Sequence, residues 1–174
     1  TSTPSASMMT WAMRELWPRI FGKEGGALHL LYDVAHNIAK IEAHVVDGKP
    51  EKLLVHRKGA TRAFGPGHPE LAKEFQKTGQ PVLIPGSMGT ASYVLVGTQK
   101  AMEESFGSSC HGAGRRMSRR EAKRQFQIQA LRQELEAQGI FLQSGSIQGA
   151  VEEAPLAYKD VHSVVDVVDA VGIA

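Results

Sequence analysis

The chain has 174 residues, 42% hydrophobic and 22% charged, with a formal net charge of +2 at pH 7. That is the composition of a globular protein able to bury roughly two thirds of its unfolded surface, and it excludes a low-complexity or disordered chain. No apolar run approaches the roughly 20 residues of a membrane-spanning helix, no charged-then-apolar leader opens the chain, and a single cysteine, Cys110, excludes an internal disulfide. A cytoplasmic protein with no membrane role is expected. The first residue is Thr1 rather than a methionine, as in a fragment or processed product.

In chain order, Thr10 is placed to cap a short helix over Trp11–Leu16 that breaks near Pro18. Ala27–Val34 is apolar and reads as a buried strand, with His29 in its core-facing pattern. Ile38–Val46 alternates, Asp47-Gly48 makes a turn, and Lys52–His56 returns as the second strand of a hairpin. Gly59–Gly67 reads as a loop, and Pro69 as the opening of a helix that stops before Gly79. Pro81–Ile84 and Ala91–Gly97 are strands joined by the loop Pro85–Gly89. Ser118, with Glu121 three residues on, has the spacing of a capping box and starts a helix that ends at Gly139. Ile140–Leu142 reads as a strand and Val161–Ala170 as a last helix. Helices and strands are interspersed, so the class is mixed α/β (α+β).

Charge is unevenly spread. Arg115, Arg116, Arg119, Arg120, Lys123 and Arg124 stand against one acid, Glu121, whereas Glu152–Asp169 carries five acids against Lys159. A basic cluster of this density suits phosphates, and equally suits a solvated helix face. The segment Ser108–Arg115 is chemically the most informative. In Gly112-Ala113-Gly114 little side chain stands between backbone N–H groups and an approaching phosphate. His111 sits at the mouth of that run. An imidazole with an ordinary pKa of about 6.5 is a competent nucleophile at pH 7, and its attack on a phosphoryl group gives a phosphoramidate. By itself the run fits a tight structural turn as well.

Three further segments join this loop: Asp33-Val34-Ala35-His36-Asn37-Ile38-Ala39, His56-Arg57-Lys58-Gly59-Ala60-Thr61-Arg62-Ala63-Phe64, and Gly79–Thr90 continuing to Leu95. In order and spacing the four resemble the RtcB-type RNA ligases, from about Ala27 to Ala170. The resemblance implies that residues 1–174 are the carboxy-terminal portion of a single, larger RtcB-like catalytic domain. It also implies a GTP-dependent ligase, active in tRNA splicing or RNA repair, that joins RNA 2′,3′-cyclic phosphate or 3′-phosphate ends to 5′-hydroxyl ends through a histidine–GMP intermediate. Position by position, His111 resembles the guanylylated histidine, Ala113 and Gly114 the loop that holds the nucleotide, and His36 a Mn²⁺ ligand. Asn37 resembles a phosphate contact. Pro85, Gly86, Ser87 and Met88 resemble part of the nucleotide pocket, Ser92 a contact to guanine, and Tyr158 an aromatic wall.

The implied cofactors are GTP and Mn²⁺, and the implied partners are RNA and an activating helper protein. Arg57, Lys58 and Arg62, with the basic cluster, are candidates for the RNA path, since such groups neutralise phosphates without reading bases. Cys110 reads as a small packing residue. The family's other metal ligands precede the region present here, and its terminal lysine follows it, so only His36 stands in a recognisable ligand context. Two rival readings remain open: a phosphoesterase working through a phosphohistidine, and a catalytically silent RNA-binding fragment.

Overall fold

The computed structural model describes the backbone of residues 4–174 and the side chains from Met8 onward. It is a mixed α/β fold whose strands form three antiparallel pairs.

The first helix, α1, spans Pro4–Phe21 and runs through Pro18, so the expected short helix capped at Thr10 is lengthened at both ends. Proline removes one helical hydrogen bond, here to the carbonyl of Arg14. Arg14 and Pro18 are both exposed, so water can satisfy that carbonyl. Ala27–Val34 is not a strand. A strand needs a ladder partner, and among the described residues none pairs with this segment. Leu30 and Leu31 are consequently exposed, and His29, expected in the core, faces water.

Strands β1 (Asn37–Val46) and β2 (Lys49–Lys58) form the expected hairpin, extended to ten cross-strand pairs from Asn37↔Lys58 to Val46↔Lys49. Its turn has Asp47 and Gly48 both left-handed (φ 49° and 76°), the geometry that matches strand twist. The hairpin buries its polar face. Glu42, His44 and Arg57 are 2–5% exposed, while Ile41, Val45 and Leu54 on the opposite face are exposed.

The expected loop after Gly59 contains β3 (Ala60–Arg62), which pairs with β6 (Ser108–Cys110). No α-helix follows Pro69; a single turn forms at Lys73–Phe75. The Gln76 side-chain amide donates to the carbonyls of His68 and Leu71 at 2.8 Å each, occupying acceptors a helix would have used. Strand β4 (Pro81–Ile84) is as expected, β5 (Tyr93–Val96) is shorter than the expected Ala91–Gly97, and the two pair antiparallel. A short helix, α2 (Gln99–Glu104), capped by Thr98, was not legible in the pattern.

The long helix expected from Ser118 is two helices, α3 (Arg119–Gln125) and α4 (Ile128–Glu136), parted by extended backbone at Phe126 and Gln127. Ser118 caps α3 by accepting from the Glu121 N–H, but the Glu121 carboxylate accepts from Gln125 instead of returning to Ser118. The break lets α4 place Ile128, Leu131 and Leu135 against Ala150 and Val151 of α5 (Ile147–Glu152), a helix absent from the sequence reading. Ile140 and Leu142 pack on this cluster as irregular chain rather than as a strand. The last helix, α6 (Val161–Val171), is the predicted one, capped by Asp160 and closed by left-handed Gly172. Ala113, Val161 and Val168 belong to a second buried cluster with Val82 and Ile84. The loop holding Met88 touches one cluster and the loop holding Ala113 the other, so a cleft opens at their seam.

Candidate functional site

Strand β6 delivers His111 directly to the cleft, and the chain then turns through left-handed Gly112 and Gly114 (φ 100° and 74°). The opposite wall is the β4–β5 loop. Its Gly86 N–H donates to the Ser92 hydroxyl at 3.2 Å, and its Ser87 N–H donates to the Thr90 hydroxyl at 2.7 Å. The third wall comes from Ala157–Lys159, which lies against the glycine loop. Arg116 N–H donates to the Ala157 carbonyl at 2.8 Å and Lys159 N–H to the Gly114 carbonyl at 2.9 Å. The enclosed space is about 420 Å³, lined by Pro85, Gly86, Ser87, Met88, His111, Gly112, Ala113, Gly114, Glu153 and Tyr158. That lies within the range of about 300–1,000 Å³ typical of small-molecule sites.

Eight of the residues singled out in the sequence therefore meet in one cleft: Pro85, Gly86, Ser87, Met88, His111, Ala113, Gly114 and Tyr158. Three do not line it. Ser92 is exposed and holds the loop through Gly86. Asn37 is exposed at the start of β1, and His36 just before it is also exposed. His36 nevertheless stacks on His111, with ring centroids 4.7 Å apart and planes inclined by 19°.

The His111 Nδ1 lies 3.1 Å from the carbonyl oxygen of Leu83. A carbonyl only accepts, so Nδ1 carries the proton and Nε2 keeps its lone pair. Burial pushes the His111 pKa below the ordinary histidine value, repulsion from His36 adds to this, and the Leu83 carbonyl partly opposes it. The ring is thus held neutral at neutral pH, with one nitrogen available for bond formation.

Sequence reasoning missed Glu153, the one carboxylate in the lining. It accepts a hydrogen bond from the Tyr158 hydroxyl, while Arg115 donates to the same hydroxyl at 2.9 Å and lies over the ring at 4.8 Å. Burial and then Glu153 push the Tyr158 pKa up, so the hydroxyl stays protonated. The signal for Glu153 was the acidic run opposite the basic cluster, and the two runs do meet. Arg119 reaches Glu152 and Glu153 at 3.5 and 3.8 Å, and Lys123 also pairs with Glu152. Arg116, Arg120 and Arg124 are exposed, with no ion pair among the described residues.

Arg57 cannot belong to an RNA path. It is 2% exposed and forms a two-bond pair with Glu42. Arg62 is engaged by Glu70 at 2.8 Å, which leaves Lys58 as the exposed member of that trio. Cys110 packs against the core, and burial raises its pKa, consistent with the packing role. Among the described residues no three His, Cys, Asp or Glu side chains converge to hold a metal ion. His36 alone does not make a manganese site, so the residues present do not fit that ion by themselves. Among the described residues no helix is long and apolar enough to cross a membrane.

A single-tautomer imidazole at the mouth of a glycine-lined cleft has the equipment to take up a phosphoryl group. The chain belongs to the RtcB family, whose profile, described as tRNA-splicing ligase RtcB, matches residues 5–174. The match takes in nearly all of α1, ahead of the motifs that carry the resemblance. The chain is 54% identical over 169 residues to a tRNA-splicing ligase RtcB of Thermococcus kodakarensis, covering 96% of this chain and 35% of that protein. It is 56% identical over 164 residues to the protein of the same name from Archaeoglobus fulgidus (93% and 34% covered), and 52% over 169 residues to that of Nanoarchaeum equitans (96% and 35%). It therefore spans about a third of the length of these relatives.

Proposed function

We propose that this chain carries the nucleophile and much of the nucleotide pocket of a GTP-dependent RNA ligase. The observation that carries the reading is the His111 imidazole, fixed by the Leu83 carbonyl with Nε2 free and set beside Gly112–Gly114 in the cleft. His111 Nε2 attacks the α-phosphorus of GTP, a P–N bond forms, the bond to the β-phosphate oxygen breaks, and pyrophosphate leaves. The GMP then passes from His111 to an RNA 3′-phosphate, restoring the free imidazole. A 5′-hydroxyl attacks the activated phosphate and GMP departs. Where the RNA ends in a 2′,3′-cyclic phosphate, hydrolysis to the 3′-phosphate comes first.

The protein's part is positional and electrostatic. The Gly112–Gly114 backbone approaches the phosphates. Tyr158, braced by Arg115 and Glu153, offers its ring as a wall for the base, and the Pro85–Met88 loop faces it. Mn²⁺, which the family resemblance implies, would supply charge neutralisation at the phosphates, and among the described residues His36 is the donor that the resemblance offers it. Lys58, Arg116, Arg120 and Arg124 are the exposed cations that suit an RNA backbone. The names of the relatives agree with RNA as substrate.

The test places these residues in the matching stretch of the Thermococcus kodakarensis relative and supplies GTP labelled at either the α- or the γ-phosphate, with Mn²⁺. Acid-labile α-label on His111 supports the ligase. Retained γ-label would favour a phosphohistidine enzyme, and no label would favour a silent RNA-binding piece; either overturns the reading.

A further inference from the structure

Strands β2 and β3 form one run, Lys49–Arg62, interrupted only at Gly59. On one side of that joint the run pairs with β1, whose approach carries His36; on the other it pairs with β6, which leads into His111. Gly59 serves both sides. Its N–H donates to the His36 carbonyl at 2.9 Å and its own carbonyl accepts from the His111 N–H at 3.1 Å. Its φ is +69°, and a Cβ built there would meet nothing within 4 Å. The position therefore favours glycine for its left-handed backbone and not for space.

A second tie crosses the same joint two residues earlier. Arg57 on β2 pairs with Glu42 on β1, and on the other side it donates to the Ser108 hydroxyl at 2.8 Å and the Phe106 carbonyl at 2.9 Å. Phe106 and Gly107 are both left-handed (φ 51° and 60°) and launch β6. The Arg57 guanidinium thus braces the turn that aims the nucleophile strand. We propose that Gly59 and Arg57 are positioning residues that hold the His36 and His111 rings in their stacked arrangement. The catalytic meaning rests on the reading of His111 as nucleophile; the geometric claim does not.

The test records long-range imidazole ¹H–¹⁵N spectra of the full chain without nucleotide or metal, with His111 assigned by the signal that disappears in His111→Gln. The wild type should show His111 as one Nδ1-protonated tautomer, ring-shifted by His36. Gly59→Val should lose both signatures while the circular dichroism spectrum persists, and Arg57→Met should lose them in part. Gly59→Asn should retain them, because asparagine tolerates the left-handed region. If Gly59→Val does not fold, Gly59→Ala is read in the same way. A folded Gly59→Val, or Gly59→Ala in its place, with wild-type His111 signals overturns the proposal, as does loss of the signals in a folded Gly59→Asn. In the Thermococcus chimaera, Gly59→Val should slow His111 guanylylation on the order of 100-fold with rescue in Gly59→Asn. Absence of labelling in the unsubstituted chimaera would refute the nucleophile and leave the spectra to judge the positioning.

Discussion

Removing Glu42 should cost this protein more than any single change in the candidate site. Glu42 and Arg57 have side chains 2% and 1% exposed and meet through two hydrogen bonds of 2.7 Å. Glu42→Leu keeps volume and burial but leaves a guanidinium with an uncompensated charge. Stripping one partner from a buried pair costs roughly 3–5 kcal/mol. Arg57 keeps its hydrogen bonds to Ser108 and Phe106, which places the expected loss near the lower end, about 3 kcal/mol. In a protein of this length that corresponds to a fall in Tm of roughly 6–12 °C. The double substitution Glu42→Leu/Arg57→Met removes both charges and should recover part of the loss. Urea unfolding of the four proteins in this cycle gives the coupling energy directly. A Glu42→Leu effect within about 0.5 kcal/mol, the size of an ordinary surface change, would refute the argument.

The same pair predicts a pH dependence. Burial pushes the Glu42 carboxyl up, but bonds from Arg57 and His44 outweigh it and hold the pKa below its ordinary value. A depressed folded-state pKa contributes stability that is full above the unfolded value, about 4.3, and lost as pH falls through the folded value. The stability gap between wild type and Glu42→Leu should therefore narrow below about pH 4.

Three other outcomes are expected. His111→Ala in the family-length chimaera should abolish GMP attachment in mass spectra, yet lose only about 1 kcal/mol in urea unfolding, since one hydrogen bond to Leu83 goes with the ring. Replacing Arg116, Arg120 and Arg124 with alanine should lower the slope of log affinity for RNA against log salt by roughly 0.7–0.9 for each phosphate no longer neutralised; an equal drop from Arg119→Ala and Lys123→Ala would contradict the pairing of those two with α5. Residues 1–174 alone should show no tight Mn²⁺ site by calorimetry and no guanylylation, because among the described residues no three His, Cys, Asp or Glu side chains converge to hold a metal; labelling of the isolated chain would mean that residues assigned to structure bind the ion.

Local signals carried a good part of this protein. The alternation of β1, the Asp47-Gly48 turn, the strand at Pro81, the Ser118 cap and the last helix are short-range chemistry, and each is found where the residues put it. The cleft residues came from the family resemblance and not from spacing or backbone shape, and eight of those it implied line one cavity. What the sequence left open depended on partners far along the chain. Ala27–Val34 has the apolar run of a strand but no ladder among the described residues, and Ala60–Arg62 looks like loop until Ser108–Cys110 lies beside it. The helix after Ser118 breaks because packing of Leu131 and Leu135 on α5 outweighs continuity of periodicity. Arg57 reads as a phosphate contact in the sequence and becomes a buried strut in the fold, since charge alone cannot say whether a carboxylate fifteen residues away will meet it. Likewise no spacing rule announces that His36 and His111 stack, or that the Leu83 carbonyl selects the tautomer. Those facts belong to the tertiary structure because a hydrogen bond or a ring stack depends on where two backbones cross, and only the packed chain specifies that.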